Sequence, residues 1–294
     1  MKLRTYFLSV LLLLCACTGC SKKNISAPIV ATTLPVYQFT VSLCDGTGLQ
    51  VEQLITESVS CLHDYSLQVS QMQMIEDADM LILSGAGLED FLDEALTEKC
   101  LLVDSSAGIP LLSCEHEHED EHSHHQHSHE QDSHIWLSPE NGKIMAANIC
   151  TALKNTYPTH AKTFEANLEV LTQQLDTLQA YGEEELSDLS CRELITFHDG
   201  FGYLAESFHL TILEAMEEES GSEASASELI KLIRMIQEHD LPAVFTETNG
   251  STSAANIISA ETGAAVFSLD MAMAGTSYFD SMYHNIDTIK EALG

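Results

Sequence analysis

Short, mostly apolar runs alternate with stretches of helical spacing in the first hundred residues of the chain. Three of these runs are typical of buried strands, and a fourth segment alternates apolar and polar residues as a half-buried strand does. The predicted strands are residues 29–32, 49–55, 80–83 and 101–103, and the predicted helices are residues 34–44, 68–78 and 85–96. Strands that alternate with helices of about ten residues indicate βαβ units and a parallel sheet.

The same alternation returns in the last hundred residues. The predicted strands there are residues 194–197, 210–213, 243–247 and 265–269, and the predicted helices are residues 228–239, 254–262 and 278–294. The chain is therefore assigned to the α/β class, as two similar α/β lobes with parallel-rich sheets. In open α/β sheets ligands bind at the carboxyl ends of the strands. His198, Glu247 and Asp270 stand at or just beyond three such ends.

Between the two halves the pattern predicts helices only. Residues 139–157 form the first, with Ser138 as its N-cap and a proline in its first position. Pro158 ends this helix, and residues 159–189 then lack proline and repeat apolar residues every three or four positions. A helix of that length is unusual inside one domain. It is interpreted as one long rigid connector between the lobes, with Gly182 as its weak point.

A histidine-rich tract interrupts the first half at residues 115–134. Its twenty residues include eight histidines and seven acidic residues, and none is apolar. Such a run cannot bury a face, so we expect a mobile loop. Neutral imidazoles suit zinc above other divalent metals, and carboxylates concentrate cations. The tract is the metal site, a weak collector for one, or a solvated spacer that binds metal only incidentally. The collector histidines would be His116, His118, His122, His124, His125, His127 and His129.

The first twenty residues are typical of an export signal. Lys2 and Arg4 precede an apolar stretch, and the segment ends in small residues before Cys20, as in a bacterial lipobox. Lipid on Cys20 would anchor the chain to the extracytoplasmic face of the cell membrane. The alternatives are an anchor at Cys17 and an ordinary cleaved signal peptide.

The charge balance restricts the partners. Only 12 basic residues stand against 45 acidic ones, and the formal net charge is −33. Nucleic acid is an improbable partner because phosphate binding needs clustered Lys and Arg. A cationic ligand fits better. The nine cysteines show no CxxC metal motif, and most are expected to be small buried residues; Cys61 and Cys114 are weaker ligand candidates.

Three segments centred on histidines follow one another in a fixed order. They are residues 61–67 around His63, residues 134–141 and residues 196–203 around His198, and Leu269-Asp270 and Thr276–Tyr278 come after them. Together they resemble the ZnuA/TroA-like metal-binding receptors of bacterial ABC importers, from about residue 28 to the C-terminus. The resemblance implies two α/β lobes joined by one long helix, with the metal in the interlobe cleft.

The predicted domain organisation follows from the patterns and the resemblance together. We expect a signal peptide at residues 1–20, a tether at 21–27, a first lobe at 28–157 with the His-rich loop at 115–133, a linking helix at 158–189 and a second lobe at 190–294.

The resemblance also implies a ligand set. His63 and His134 would come from the first lobe, His198 from the second, and Asp270 matches the position that can supply the fourth ligand. Three imidazoles with one carboxylate or water suit tetrahedral zinc, whereas manganese prefers more oxygen ligands.

Two departures from the family pattern affect this assignment. Leu62 and Met271 stand where prolines are usual, and the second makes Asp270 the least certain ligand. Water or Glu247 would be the substitute, or else Glu247 orients a histidine from outside the ligand shell.

The implied function is capture of Zn(II) and its delivery to an ABC permease, by a monomer held at the membrane through its lipid alone. The rival hypotheses are a manganese receptor of the same fold, a surface adhesin or zinc store, and an exported zinc hydrolase. The one HExxH string, His118–His122, falls in the tract that is expected to be a loop and not on a predicted helix, as that motif requires, so no catalytic residue or resident cofactor is predicted.

Overall fold

The computed structural model describes residues 29–57, 62, 65–92, 100–113, 131–216 and 224–294. The first lobe contains a four-stranded, fully parallel sheet in the order β2-β1-β3-β4. Its strands are β1 (Ile29–Ala31), β2 (Val51–Gln53), β3 (Met80–Leu83) and β4 (Leu101–Asp104), and its helices are α1 (Leu34–Cys44), α2 (Val69–Asp77) and α3 (Pro139–Thr156).

The second lobe repeats this arrangement. Its four parallel strands lie in the order β6-β5-β7-β8, so in both lobes the first strand lies between the second and the third. The strands are β5 (Glu193–Thr196), β6 (Thr211–Ala215), β7 (Ala243–Glu247) and β8 (Ala265–Leu269), and the helices are α5 (Gly202–Ser207), α6 (Ala226–His239), α7 (Ser253–Thr262) and α8 (Tyr278–Leu293). The predicted class of two parallel-sheet α/β lobes is confirmed.

The long connector is helix α4, which spans Ala161–Glu185 after a 3₁₀ turn at Pro158–His160. It packs against α1 and α3 of the first lobe and against α8 of the second. The helix continues through Gly182, where a Cβ would lie 2.2 Å from a ring carbon of Phe208. The helix therefore accepts an aromatic ring from the second lobe where a larger residue would exclude it. The domain boundaries at residues 157 and 190 stay predictions.

One predicted helix is wrong. Residues 86–89 form a turn and Asp90–Leu92 a 3₁₀ turn where an α-helix over 85–96 was predicted; residues 93–99 lie outside the described part of the chain. The φ angles of Gly85, Ala86 and Gly87 are +87°, +55° and +83°, which an α-helix does not allow. The structure also contains α5 and a 3₁₀ turn at Ile135–Leu137, which the apolar pattern did not predict.

Hydrogen bonds join the two lobes near the carboxyl ends of their sheets. The N–H of Leu34, just past β1, donates to the carbonyl of Met273 (3.2 Å). The indole N–H of Trp136 donates to the carbonyl of Met271 (2.7 Å), and the Tyr278 hydroxyl donates to the carbonyl of Trp136 (2.8 Å). Both rings are fully buried. Loops that follow strands of both sheets thus meet in one cleft. None of the described helices is long and apolar enough to cross a membrane.

Candidate metal centre

Two predicted ligands from different lobes meet in this cleft. His134 precedes the Ile135–Leu137 turn of the first lobe, and His198 lies two residues beyond β5 of the second. Their Nε2 atoms are 3.5 Å apart and their rings are nearly perpendicular, at 87°. Tetrahedral zinc with Zn–N bonds of about 2.0–2.1 Å places two nitrogen ligands about 3.3–3.4 Å apart. The imidazole pair is therefore already close to the spacing that zinc requires.

A buried carboxylate lies behind the first imidazole. Oδ1 of Asp132 is 2.8 Å from Nδ1 of His134 and also accepts the backbone N–H of His134 at 2.8 Å. An Nδ1–H donated to this carboxylate leaves Nε2 unprotonated and available to a metal. Sequence reasoning missed Asp132 as a site residue. The available signal was its position two residues before the histidine, where an aspartate often accepts a local backbone N–H.

A second buried carboxyl lies behind the other imidazole. Oε2 of Glu247, the last residue of β7, is 3.7 Å from Nδ1 of His198. Burial, together with the smaller effect of the Asp270 charge, raises the pKa of Glu247 to about 7. Glu247 lies on the Nδ1 side of His198, whereas His134 lies on the Nε2 side. This arrangement favours the alternative in which Glu247 orients the histidine.

Asp270 is held from both its backbone and its side chain. Its N–H donates to the amide oxygen of Asn285, whose NH₂ group donates to the Asp270 carbonyl, both at 2.7 Å. Its carboxylate accepts the backbone N–H of Ala272 (2.7 Å) and the hydroxyl of Ser281 (3.0 Å). Asn285 is completely buried. Neither Asn285 nor Ser281 was predicted, although both face Asp270 from successive turns of α8.

The chain segments on either side of the histidine tract are also fixed. Ser113 and Gln131 form an antiparallel bridge, and the N–H of Asp132 donates to the carbonyl of Leu112 (2.9 Å). The hydroxyl of Tyr203, in α5 of the second lobe, accepts the Leu112 N–H and donates to the Asp132 carbonyl, both at 3.0 Å. One hydroxyl thus ties the residues that precede His134 to the opposite lobe.

The remaining predicted positions are not placed by the structure. His63, the seven collector histidines and Cys20 lie outside the described residues. Among the residues that the structure does describe, no group of three or more His, Cys, Asp or Glu side chains is arranged to hold a metal ion. His134 and His198 are the two predicted imidazole ligands that the structure brings together, and a ligand from the segment around His63 remains a prediction. Leu62, beside it, is buried, and its carbonyl accepts the N–H of Tyr65 at 3.0 Å.

Comparison with known proteins gives a consistent result. A family model described as ZnuA, zinc-uptake complex component A, periplasmic, matches residues 29–292. The high-affinity zinc uptake system protein ZnuA of Bacillus subtilis (strain 168) is 30% identical over an alignment of 304 positions, gaps included, that covers 96% of this chain and 94% of that protein. The zinc-binding lipoprotein AdcA of Streptococcus pneumoniae (strain ATCC BAA-255 / R6) is 28% identical, but the match covers 95% of this chain and only 58% of AdcA.

Solved structures agree in fold. A crystal structure of ZnuA has a TM-score of 0.78 at 29% identity and covers 91% of this chain and 100% of that one. A zinc-bound deletion mutant of ZnuA has a TM-score of 0.77 at 28% identity, with 91% and 98% coverage.

Proposed function

Because the chain belongs to the family of periplasmic zinc-uptake components, we propose that it is an extracytoplasmic receptor that captures Zn(II) and delivers it to an ABC-type permease. The observation that carries this proposal is the imidazole pair of His134 and His198, one from each lobe, with Nε2 atoms 3.5 Å apart. A site shared by two lobes holds an ion between surfaces that a permease can contact together.

Each side chain of the proposed site has a defined task. His134 and His198 ligate zinc through Nε2, and His63 supplies the third imidazole. Asp132 and Glu247 lie at the Nδ1 atoms of the two placed histidines and keep each ring in its binding orientation. Asp270 or water completes the tetrahedron. Each carboxylate oxygen of Asp270 accepts one hydrogen bond from the protein and retains a further lone pair that could bind the metal.

The donor chemistry favours zinc over manganese. Nitrogen ligands in a tetrahedral set suit zinc, while manganese prefers oxygen ligands in higher number. A receptor also needs no turnover, and a fourth position taken by Asp270 would leave no open place for a substrate, as a zinc hydrolase requires. The His-rich tract then acts as a weak collector that raises the local zinc concentration.

The proposal places the mature chain outside the cytoplasm, attached through lipid on Cys20. Cys20→Ala should release the protein from the membrane fraction and abolish incorporation of a labelled fatty acid. Cys17→Ala is the matched control and should leave both unchanged. The opposite pattern would move the anchor to Cys17.

Competition titration of the purified mature protein with zinc and manganese, followed by native mass spectrometry, tests the function. We expect one tight zinc ion per chain, further weak zinc ions, and a clear preference for zinc. Affinity should fall below about pH 6.5, since the ligand histidines must be neutral. Many equivalent weak sites would instead support a zinc store, and a tighter manganese site would support the manganese receptor.

A further inference from the structure

Gly200 marks a crowded point beside the imidazole pair. A Cβ on this residue would lie 2.7 Å from the methyl carbon of Met271, 2.8 Å from Cδ2 of His198 and 2.9 Å from Cε1 of His134. In an imidazole both Cδ2 and Cε1 are bonded to Nε2. The methyl carbon of Met271 and one ring carbon bonded to each Nε2 therefore all lie within 2.9 Å of the same point.

Met271 is held firmly in this place. Its carbonyl accepts the indole N–H of Trp136 at 2.7 Å, and the residue is buried, at 3% relative exposure. It directly follows Asp270, whose backbone is fixed by Asn285. These bonds fix the backbone that carries the thioether, and the burial of the residue leaves little solvent space into which the side chain could turn.

We propose that Met271 is a specificity-determining residue, whose methyl group forms an apolar wall over one side of the ion bound by His134 and His198. The inference rests on the proposed function and concerns the choice of metal. A methyl group neither donates nor accepts a hydrogen bond, so water on that side of the ion has no partner and is displaced. The coordination number is thereby kept low.

A low coordination number favours zinc over manganese. Zinc is satisfied by four ligands, whereas manganese needs additional oxygen ligands that this wall excludes. Gly200 is part of the device, because its missing side chain leaves the space that the Met271 methyl occupies. The departure from proline at position 271 is then a change that favours zinc.

The test is a titration of the full mature chain with zinc and with manganese for Met271→Ala and Met271→Leu. Removing the wall should reduce the ratio of zinc to manganese affinity by about tenfold or more, the scale typical of residues that tune a metal from outside its ligand shell. Leucine keeps an apolar wall of similar volume and should preserve the ratio. Met273→Ala is the matched control, since Met273 is equally buried, at 2% exposure, two residues further along the same loop.

Cobalt(II) provides a second readout that a general loss of stability would not change. Four-coordinate cobalt absorbs visible light strongly, and additional water ligands weaken that absorption. The strong band should persist in the wild type, Met271→Leu and Met273→Ala, and weaken in Met271→Ala. Thermal unfolding without metal confirms that each variant is folded; if Met271→Ala is not, Met271→Gln removes the apolar wall at nearly constant length.

The outcomes separate this inference from the function on which it rests. A wild-type chain without a tight zinc site would overturn both. A tight wild-type site with an unchanged metal ratio in Met271→Ala would overturn the wall alone. Equal loss of zinc in Met271→Leu and Met271→Ala would also overturn it, because the sulfur atom would then be acting as a ligand.

Discussion

The two lobes share one topology but use the carboxyl ends of their sheets differently. Each buries one glutamate there: Glu89 follows β3 in the first lobe, and Glu247 ends β7 in the second, with 6% and 4% relative exposure. Burial raises the pKa of both carboxyls to about 7. A strongly shifted acid in a cleft is a common sign of a functional site, so by this criterion alone the two lobes look alike.

The partners of the two carboxyls distinguish them. Glu89 accepts three hydrogen bonds, from the hydroxyl of Thr32 (2.6 Å) and the backbone N–H groups of Ser84 (2.7 Å) and Gly85 (3.0 Å). These bonds close the left-handed turn after β3 onto the end of β1. Glu247 instead faces His198 and the charge of Asp270. Burial beside another carboxylate does not identify a binding residue, since Glu89 has Asp104 nearby; proximity to an imidazole that can bind a metal, as at Glu247, favours that role.

The largest effect on zinc affinity is expected from removing the predicted histidine ligand of the second lobe. His198→Ala deletes both the imidazole opposite His134 and the partner of Glu247, so we expect tight zinc binding to fall by at least about 100-fold. His239→Ala is the matched control, because that histidine contacts Glu193 (2.9 Å) at the opposite end of β5. Competition titration checks both variants, and an equal loss in the two would contradict the assigned site.

Exchanging the two glutamates for glutamine sharpens the comparison. Glu247→Gln should lower zinc affinity by about 10–100-fold while leaving the unfolding free energy of the metal-free protein undiminished. Glu89→Gln places an NH₂ group against a backbone N–H, so it should lower that free energy by about 1–3 kcal/mol and leave zinc affinity unchanged. Urea unfolding and zinc titration of both variants separate the roles; a zinc defect in Glu89→Gln would refute the distinction.

The pH dependence of stability tests the state of Glu89. Its pKa is raised from 4.5 to about 7 in the folded protein, mainly by burial and also by the nearby Asp104. Between these values the folded chain binds the proton and the unfolded chain does not. The contribution of Glu89 is therefore fully present below about pH 4.5 and is lost as the pH rises to 7.

Urea unfolding of the metal-free wild type and Glu89→Gln from pH 4.5 to 8 measures this contribution as a difference. We expect the free energy of unfolding to fall more steeply with rising pH in the wild type than in the variant, by an amount on the order of a few kcal/mol. Parallel curves would mean that Glu89 is already ionised in the folded protein. The three hydrogen bonds that its carboxylate accepts would favour that ionised form.

Much of the fold was predictable because the central strands β1, β3 and β7 are almost entirely buried. Buried parallel strands read as continuous apolar runs, and the predicted bounds of β3, β7 and β8 match the structure. The failure at residues 85–96 has an equally local cause. Helical spacing was present, but backbone conformation at Gly85 and Gly87, stabilised by Glu89 from four residues away, decided the outcome.

Strand ends predicted only part of the candidate site, and His134 was predicted from the family resemblance and not from a strand end. His198 and Asp270 follow strands, so topology alone brings them to one edge. Asp132 was one acidic residue among the seven of the tract, and composition could not separate it from the rest. Tyr203 acts on Leu112 from 91 positions away, through a hydroxyl that no periodic pattern reports. Interlobe hydrogen bonds of this kind require the three-dimensional arrangement.

The smallest effect on tight zinc binding is expected from removing the histidine-rich tract, the most conspicuous feature of the sequence. Ser113 and Gln131 already pair as an antiparallel bridge, so replacing residues 114–130 by Asn-Gly should join them in a two-residue hairpin. The contacts that orient His134, from Leu112, Asp132 and Tyr203, all lie outside the replaced segment. We expect one tight zinc ion with affinity within a factor of about three of the wild type, since residues outside a ligand shell matter through contacts that are kept here.

Native mass spectrometry of this variant should show the weak zinc ions lost and the tight one retained. Tyr203→Phe is the converse control: it keeps the tract but removes the hydroxyl that ties Asp132 to the second lobe, and should weaken the tight site. Tyr181→Phe, which removes a hydroxyl bonded to Asp287 between α4 and α8, should not. The contrary outcome is that the tract replacement loses the tight ion while Tyr203→Phe keeps it. The first lobe would then supply its zinc ligands from the histidine-rich tract, and the fixed segment around His134 would only support that tract.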